Sequence, residues 1–160
     1  MSLLVRLARP ALATLAAIGF ALVAACTSTP EAGPRQDALA KEFVTHPNAA
    51  TIYVYRSEFN HFDTDTVLFM DGRVIGSTLP GAYFRIDTTP GRHVLHGTGI
   101  DLGEYFLETR AGELYFVSLD VVGGHSHFRL VPEQVGRERV RTCCALLENW
   151  APGQRPLVLR

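Results

Sequence analysis

Thr66-Val67-Leu68-Phe69-Met70-Asp71-Gly72-Arg73-Val74-Ile75 is the stretch on which the fold turns. Two runs rich in β-branched and aromatic residues flank an Asp-Gly pair. That pair is the sequence signature of a two-residue type I′ turn, which needs positive φ at both central positions. The two runs therefore pair as an antiparallel hairpin.

Working outward, the same period of two appears upstream in Thr51-Ile52-Tyr53-Val54-Tyr55-Arg56 and downstream over residues 83–87, 92–98, 103–108, 114–122 and 126–131. Pro90-Gly91, Gly97, Gly99, Ala111-Gly112 and Gly123-Gly124 punctuate these runs. Seven or eight short strands at near-even spacing predict an all-β fold, an antiparallel β-sandwich, because the helices that a parallel sheet requires are missing between them. The period then changes: Val140, Cys143, Cys144 and Leu147 recur at three- and four-residue intervals among charged residues. This predicts one C-terminal amphipathic helix over 136–149, laid on the sandwich. Residues 151–160, with Pro152, Gly153 and Pro156, read as a tail whose Leu157-Val158-Leu159 is suited to an edge strand. No internal repeat is present.

The amino terminus carries an address. Residues 1–9 hold Arg6 and Arg9 and no acid, and residues 11–25 form an uncharged, mostly apolar run ending in small residues. This is the order of a secretory signal peptide over 1–25. As a helix the run reaches about 22 Å, short of the roughly 30 Å hydrocarbon core, so a lasting span is the poorer reading. Residues 26–48 contain Pro30, Gly33, Pro34 and Pro47 with few large apolar side chains, and read as a flexible tether on the order of 25 Å long. Within it Asp37 is a candidate N-cap for a short helix over 37–43 whose use would be packing on the domain edge. The sandwich with its helix then occupies 49–150.

With 160 residues the chain fits one ordinary domain and excludes a large multidomain enzyme. Lys and Arg number 15 against 16 Asp and Glu, and cleavage before Cys26 removes two arginines and no acid. A mildly acidic mature chain offers no electrostatic case for nucleic acid.

Two resemblances refine this reading. Val23-Ala24-Ala25-Cys26 resembles the lipobox of bacterial lipoproteins, in which the thiol becomes a thioether to diacylglycerol and small residues fit the peptidase groove. It implies lipidation at Cys26, with Thr27 in place of the aspartate that would favour retention at the inner membrane. The order Ile52-Tyr53-Val54-Tyr55-Arg56, Asp71-Gly72-Arg73-Val74-Ile75-Gly76, Gly81-Ala82-Tyr83-Phe84, Pro90-Gly91-Arg92-His93 and Ala111-Gly112-Glu113-Leu114-Tyr115-Phe116-Val117 resembles a family of small bacterial lipoproteins built around a domain of unknown function. The Pro-Gly-x-His step is also similar to the PEGA module, a surface-associated sandwich. Both imply a β-sandwich and no catalytic residue.

Candidate chemistry is sparse. His125 and His127 share one strand face by the period-two rule and are the first candidates for zinc or copper; His93 and His96, three apart, fall on opposite faces. Cys143 and Cys144 are the redox candidates in an exported protein. Adjacent helical residues point about 100° apart, so a bond between them would require leaving helical geometry. Two buried thiols are the favoured reading, with a vicinal disulfide, an intermolecular bridge and soft-metal binding as alternatives. Ser126 lies between two histidines but lacks the flanking glycines of a nucleophile elbow, and neighbouring strand residues face away from it. Asp63 and Asp65 read as solvated loop carboxylates without a third ligand for calcium. Of the alternating aromatics Tyr53, Tyr55, Tyr83, Phe84, Tyr105, Phe106, Tyr115 and Phe116, half are expected inward as core and half on a solvated face, with Arg56, Arg73, Arg85 and Arg92 covering that face with their stems. The sequence thus predicts a non-enzymatic lipoprotein without a cofactor. Its expected partners are the membrane and an envelope protein; its expected place is the outer membrane, facing the periplasm. Periplasmic metal handling is the alternative.

Overall fold

The computed structural model describes residues 29–57, 66–98 and 103–149. The expected signal peptide, Cys26, Asp63, Asp65 and the tail lie outside the described residues. The elements are α1 (Pro34–Ala40), β1 (Ala50–Arg56), β2 (Thr66–Met70), β3 (Arg73–Thr78), β4 (Ala82–Thr88), β5 (Gly91–Gly97), β6 (Tyr105–Thr109), β7 (Leu114–Val122), β8 (His125–Val131), α2 (Glu133–Cys143) and β9 (Ala145–Leu146). Asp71 and Gly72 turn the β2–β3 hairpin with φ of 52° and 73°, the positive pair that an Asp-Gly turn requires. No helix among the described residues is long and apolar enough to cross a membrane.

Two sheets form the sandwich: a five-stranded one in the order β8-β7-β1-β4-β9 and a four-stranded one in the order β3-β2-β5-β6. Pairing is antiparallel except at two places, β1 with β7 and β4 with β9, which corrects the expectation of a purely antiparallel sandwich. A parallel neighbour needs a long crossover. Between β1 and β7 the chain runs through β2 and β3 of the other sheet, returns to β4, and crosses again through β5 and β6.

Between the sheets lies one core of Ile52, Val54, Leu68, Ile75, Phe84, Ile86, Leu95 and Leu119, among others. A second core occupies the opposite face of the five-stranded sheet, where Tyr53, Tyr55, Tyr83, Phe116 and the β9 residue Leu146 pack under Ala40, Phe43 and Val140. Strand β1 is consequently buried along its whole length. The tyrosines expected on a solvated face are core residues, because helices and the N-terminal segment cover them.

That segment corrects the tether expectation. Thr29 is only 2% exposed, Ala40 and Phe43 are buried, and Glu31 forms a bridge with Leu147. The backbone amide of Ser77 donates to Thr29 Oγ1 at 2.6 Å, that of Ala32 to Leu146 O at 2.8 Å and that of Glu148 to Pro30 O at 2.9 Å. Residues 29–32 are therefore a strap closing the sandwich edge where β3 and β9 lie. The few large side chains that made the segment read as a linker include the one that fastens it. Phe43, at φ 56°, turns its ring edge-on to Tyr53 (5.2 Å) and Phe116 (5.6 Å).

The C-terminal helix also differs from expectation: it starts at Glu133 and ends at Cys143. Sheet pairing competes successfully for the last residues, since Ala145 N donates to Gly81 O and Leu147 N to Tyr83 O, at 2.9 and 2.8 Å. Gly136 sets how closely α2 approaches the sheet. A Cβ there would stand 2.6 Å from Phe116 Cδ1 and nearer still to Phe116 Cβ and Cγ.

Candidate functional site

The four strand histidines do not converge. His93 is buried, with Nδ1 2.7 Å from Asp71 Oδ2 and Nε2 2.8 Å from Thr89 O, so one ring nitrogen locks the β2–β3 turn onto β5 and the other holds the β4–β5 connection. His96 faces the other side, as expected, and stacks on Phe69 at 4.7 Å with the planes 5° apart. His125 and His127 lie opposite Val122 and Asp120 at the far edge of the other sheet. The Asp120 carboxylate there accepts from Arg129 Nη2 at 2.9 Å. Among the described residues no three His, Cys, Asp or Glu side chains group as metal ligands.

Ser126 points between the sheets rather than toward either neighbouring histidine. Its hydroxyl lies 3.4 Å from Thr66 Oγ1. Gly97 and Gly103 leave it room, since a Cβ on Gly97 would collide with Ser126 Oγ and one on Gly103 would reach within 2.7 Å of Ser126 O. This hydroxyl is a packing contact at one end of the sandwich and has no base beside it among the described residues.

Cys143 and Cys144 are joined as a vicinal disulfide. The favoured expectation of two thiols on a helix is corrected by the element boundary. Cys143 is the last helical residue and Cys144, at φ −131° and ψ 143°, is already extended, so the pair has left helical geometry. Asp37, read from the sequence as an N-cap, lies inside α1 and organises this junction. Its carboxylate accepts from Tyr83 OH (2.9 Å), Lys41 Nζ (2.8 Å) and the Leu146 amide (3.0 Å), while Lys41 Nζ also donates to Cys144 O at 2.7 Å. Burial first, and then the Asp37 charge and hydrogen bond, push the Tyr83 ionisation well above the ordinary tyrosine range. Burial does the same for Tyr53, whose hydroxyl donates to Ala40 O at 2.6 Å. Both phenols act as neutral donors fastening the N-terminal segment.

Arg85, expected to cover a solvated face, is instead fully enclosed, together with Asp87, beneath that segment. Arg85 Nη2 donates to Val44 O at 2.8 Å and stands 3.5 Å from Asp87 Oδ1, which also accepts from Thr51 Oγ1 at 2.6 Å. Arg85 Nε and Nη1 have no hydrogen-bond partner among the described residues. Arg56 is buried as well, donating to Thr78 O and Oγ1. Of the four arginines assigned to a solvated aromatic face, Arg92 does as expected: its guanidinium lies 4.4 Å from the Phe106 ring centre.

The surface best suited to contact is the outer face of the four-stranded sheet. Register places Phe69 opposite Val74 and His96, Val94 opposite Phe106, and Arg92 opposite Glu108. Phe106 is 50% exposed and Val74 39%. The corresponding face of the five-stranded sheet is covered over β1 and β4 by α1, α2 and the N-terminal segment, while Val122, His127 and Arg129 stay exposed toward β8. Phe69, Val74, Val94 and Phe106 thus lie together on one face, with Arg92 and Glu108 paired across it. No single sequence motif marks this face; the signal was Phe106 and Arg92 at alternating positions, which had two readings until the covering of the other sheet was known. No family model, curated protein or solved structure matches the chain.

Proposed function

We propose that this chain is a lipid-anchored protein of the bacterial envelope, a non-enzymatic binding or assembly module of the small-lipoprotein kind that its strand order resembles. Val23-Ala24-Ala25-Cys26 behind a charged and then apolar leader carries the reading. Cleavage there leaves Cys26 as the first residue with three acyl chains. At about 0.8 kcal/mol per buried methylene, two chains already hold stably and three make release negligible.

The disposition of polar groups supports a binding role over a catalytic one. The imidazole of His93, the hydroxyl of Ser126 and the carboxylates of Asp37 and Asp87 are all engaged in holding strands, strap and helices together. A rigid sandwich held at a membrane meets other envelope proteins in a thin layer, which raises their effective concentration without new contacts. The test is metabolic labelling with palmitate, combined with fractionation and crosslinking in the living envelope. Wild type should incorporate label, pellet with membranes and give a discrete protein adduct, and Cys26→Ala should lose label and membrane association. An unlabelled, soluble wild-type protein overturns the reading.

A further inference from the structure

We infer that the outer face of the four-stranded sheet, centred on Phe69, Val74 and Phe106, is seated on the surface of the bilayer that holds Cys26. This rests on the lipid anchor proposed above and adds which face meets the membrane. Only three residue steps separate Cys26 from Thr29, a reach of at most about 11 Å when fully extended. Thr29 is fixed to the edge strand of this sheet through the Ser77 amide. An anchor at Cys26 therefore holds β3 next to the headgroups and leaves the domain no length with which to stand clear.

Which surface then turns toward the lipid follows from what each one offers. The five-stranded sheet has its outer face covered by α1 and α2 over β1 and β4, and toward β8 it presents the polar side chains of Asp120, His127 and Arg129 around Val122. The strap edge presents the exposed carboxylates of Glu31 and Glu148. The four-stranded sheet offers exposed Phe106 and Val74, half-buried Phe69 and Val94, and Arg92 lying along the Phe106 ring. Arg92 and Glu108 stand opposite each other across one strand pair, so these two charges offset each other. Phe106 lies on β6, three strand spacings from β3, about 14 Å at 4.8 Å each. A sheet pinned at β3 can lay that whole width on the interface. Aromatic rings and arginine stems are the groups that settle at headgroup depth.

A photoreactive phenylalanine placed at position 106 or 74 of the full-length, lipidated protein tests this in native membranes, with position 135 on α2 as the control. Lipid adducts in several-fold excess at 106 and 74 over 135 are expected. A membrane-bound chain whose positions 106 and 74 give no lipid adduct overturns the seat and leaves the anchor standing, as do equal yields at 135. Protein adducts in place of lipid at 106 and 74 overturn it too and assign the face to a protein. A wild-type chain found in the soluble fraction overturns the anchor and the seat together.

Discussion

Replacing Phe43 should release the N-terminal segment from the domain, and the order of two substitutions at this position is diagnostic. Phe43 is buried, packs edge-on against Tyr53 and Phe116, and carries the Arg137 and Arg141 guanidiniums at 4.8 Å each from its ring centre. Deleting a buried Phe side chain to alanine costs about 3–5 kcal/mol. Each cation over the ring adds roughly 0.5–1 kcal/mol, part of which the first figure already contains. Phe43→Ala should therefore lose about 4 kcal/mol. The backbone supplies the second arm. At φ 56° a Cβ is strained. Alanine keeps that strain and glycine does not, so Phe43→Gly should be roughly 1 kcal/mol more stable than Phe43→Ala although it removes one more carbon. Urea unfolding of the protein, followed by far-ultraviolet circular dichroism, measures both. A loss below about 1 kcal/mol for alanine, or a glycine variant less stable than the alanine one, would refute the packed strap.

Four further outcomes follow from the same contacts. Gly136→Ala should cost about 1–3 kcal/mol by pushing α2 off Phe116, and a double-mutant cycle with Phe116→Ala should show strong coupling in urea titrations; additivity would sink the contact. Asp87→Ala should cost about 3–5 kcal/mol because it strips a buried guanidinium of its counter-ion, and a change under 1 kcal/mol by thermal unfolding would disprove the pairing. Tyr53 and Tyr83 ionise near pH 10 in the unfolded chain and well above it in the fold. The stability they confer is intact below pH 10 and declines above it by about 1.4 kcal/mol per pH unit for each, so Tyr83→Phe should flatten the alkaline limb of a stability profile. Alkylation of the unreduced, denatured protein should leave Cys143 and Cys144 unmodified, and labelling of either would contradict the disulfide.

Local chemistry made much of this fold readable. Asp71-Gly72 fixed its own hairpin, and each expected strand run from 51–56 to 126–131 overlaps a strand, because alternation and turn residues act within a few positions. Long-range decisions were not readable. Residues 144–147 carry a helical spacing, yet the Ala145 and Leu147 amides donate to the Gly81 and Tyr83 carbonyls and draw Ala145 and Leu146 into β9. Tyr53 and Tyr55 alternate as a half-solvated strand would, and only the arrival of Phe43 and α2 buries their face. Arg85 read as a surface residue because nothing local reveals that the Val44 carbonyl meets it from the N-terminal segment. Candidate sites suffered in the same way: the histidine pairs are locally suggestive, but the topology sends them to different sheets.

The strap has one more consequence. Because Glu31 bridges Leu147 and Pro30 accepts from the Glu148 amide, the two ends of the folded body sit side by side. A circular permutant joining them through a short peptide, with new termini opened in the Gly123-Gly124 turn, keeps every strand neighbour in place. Any reporter fused behind residue 149 starts its path at the edge where residues 29–32 lie.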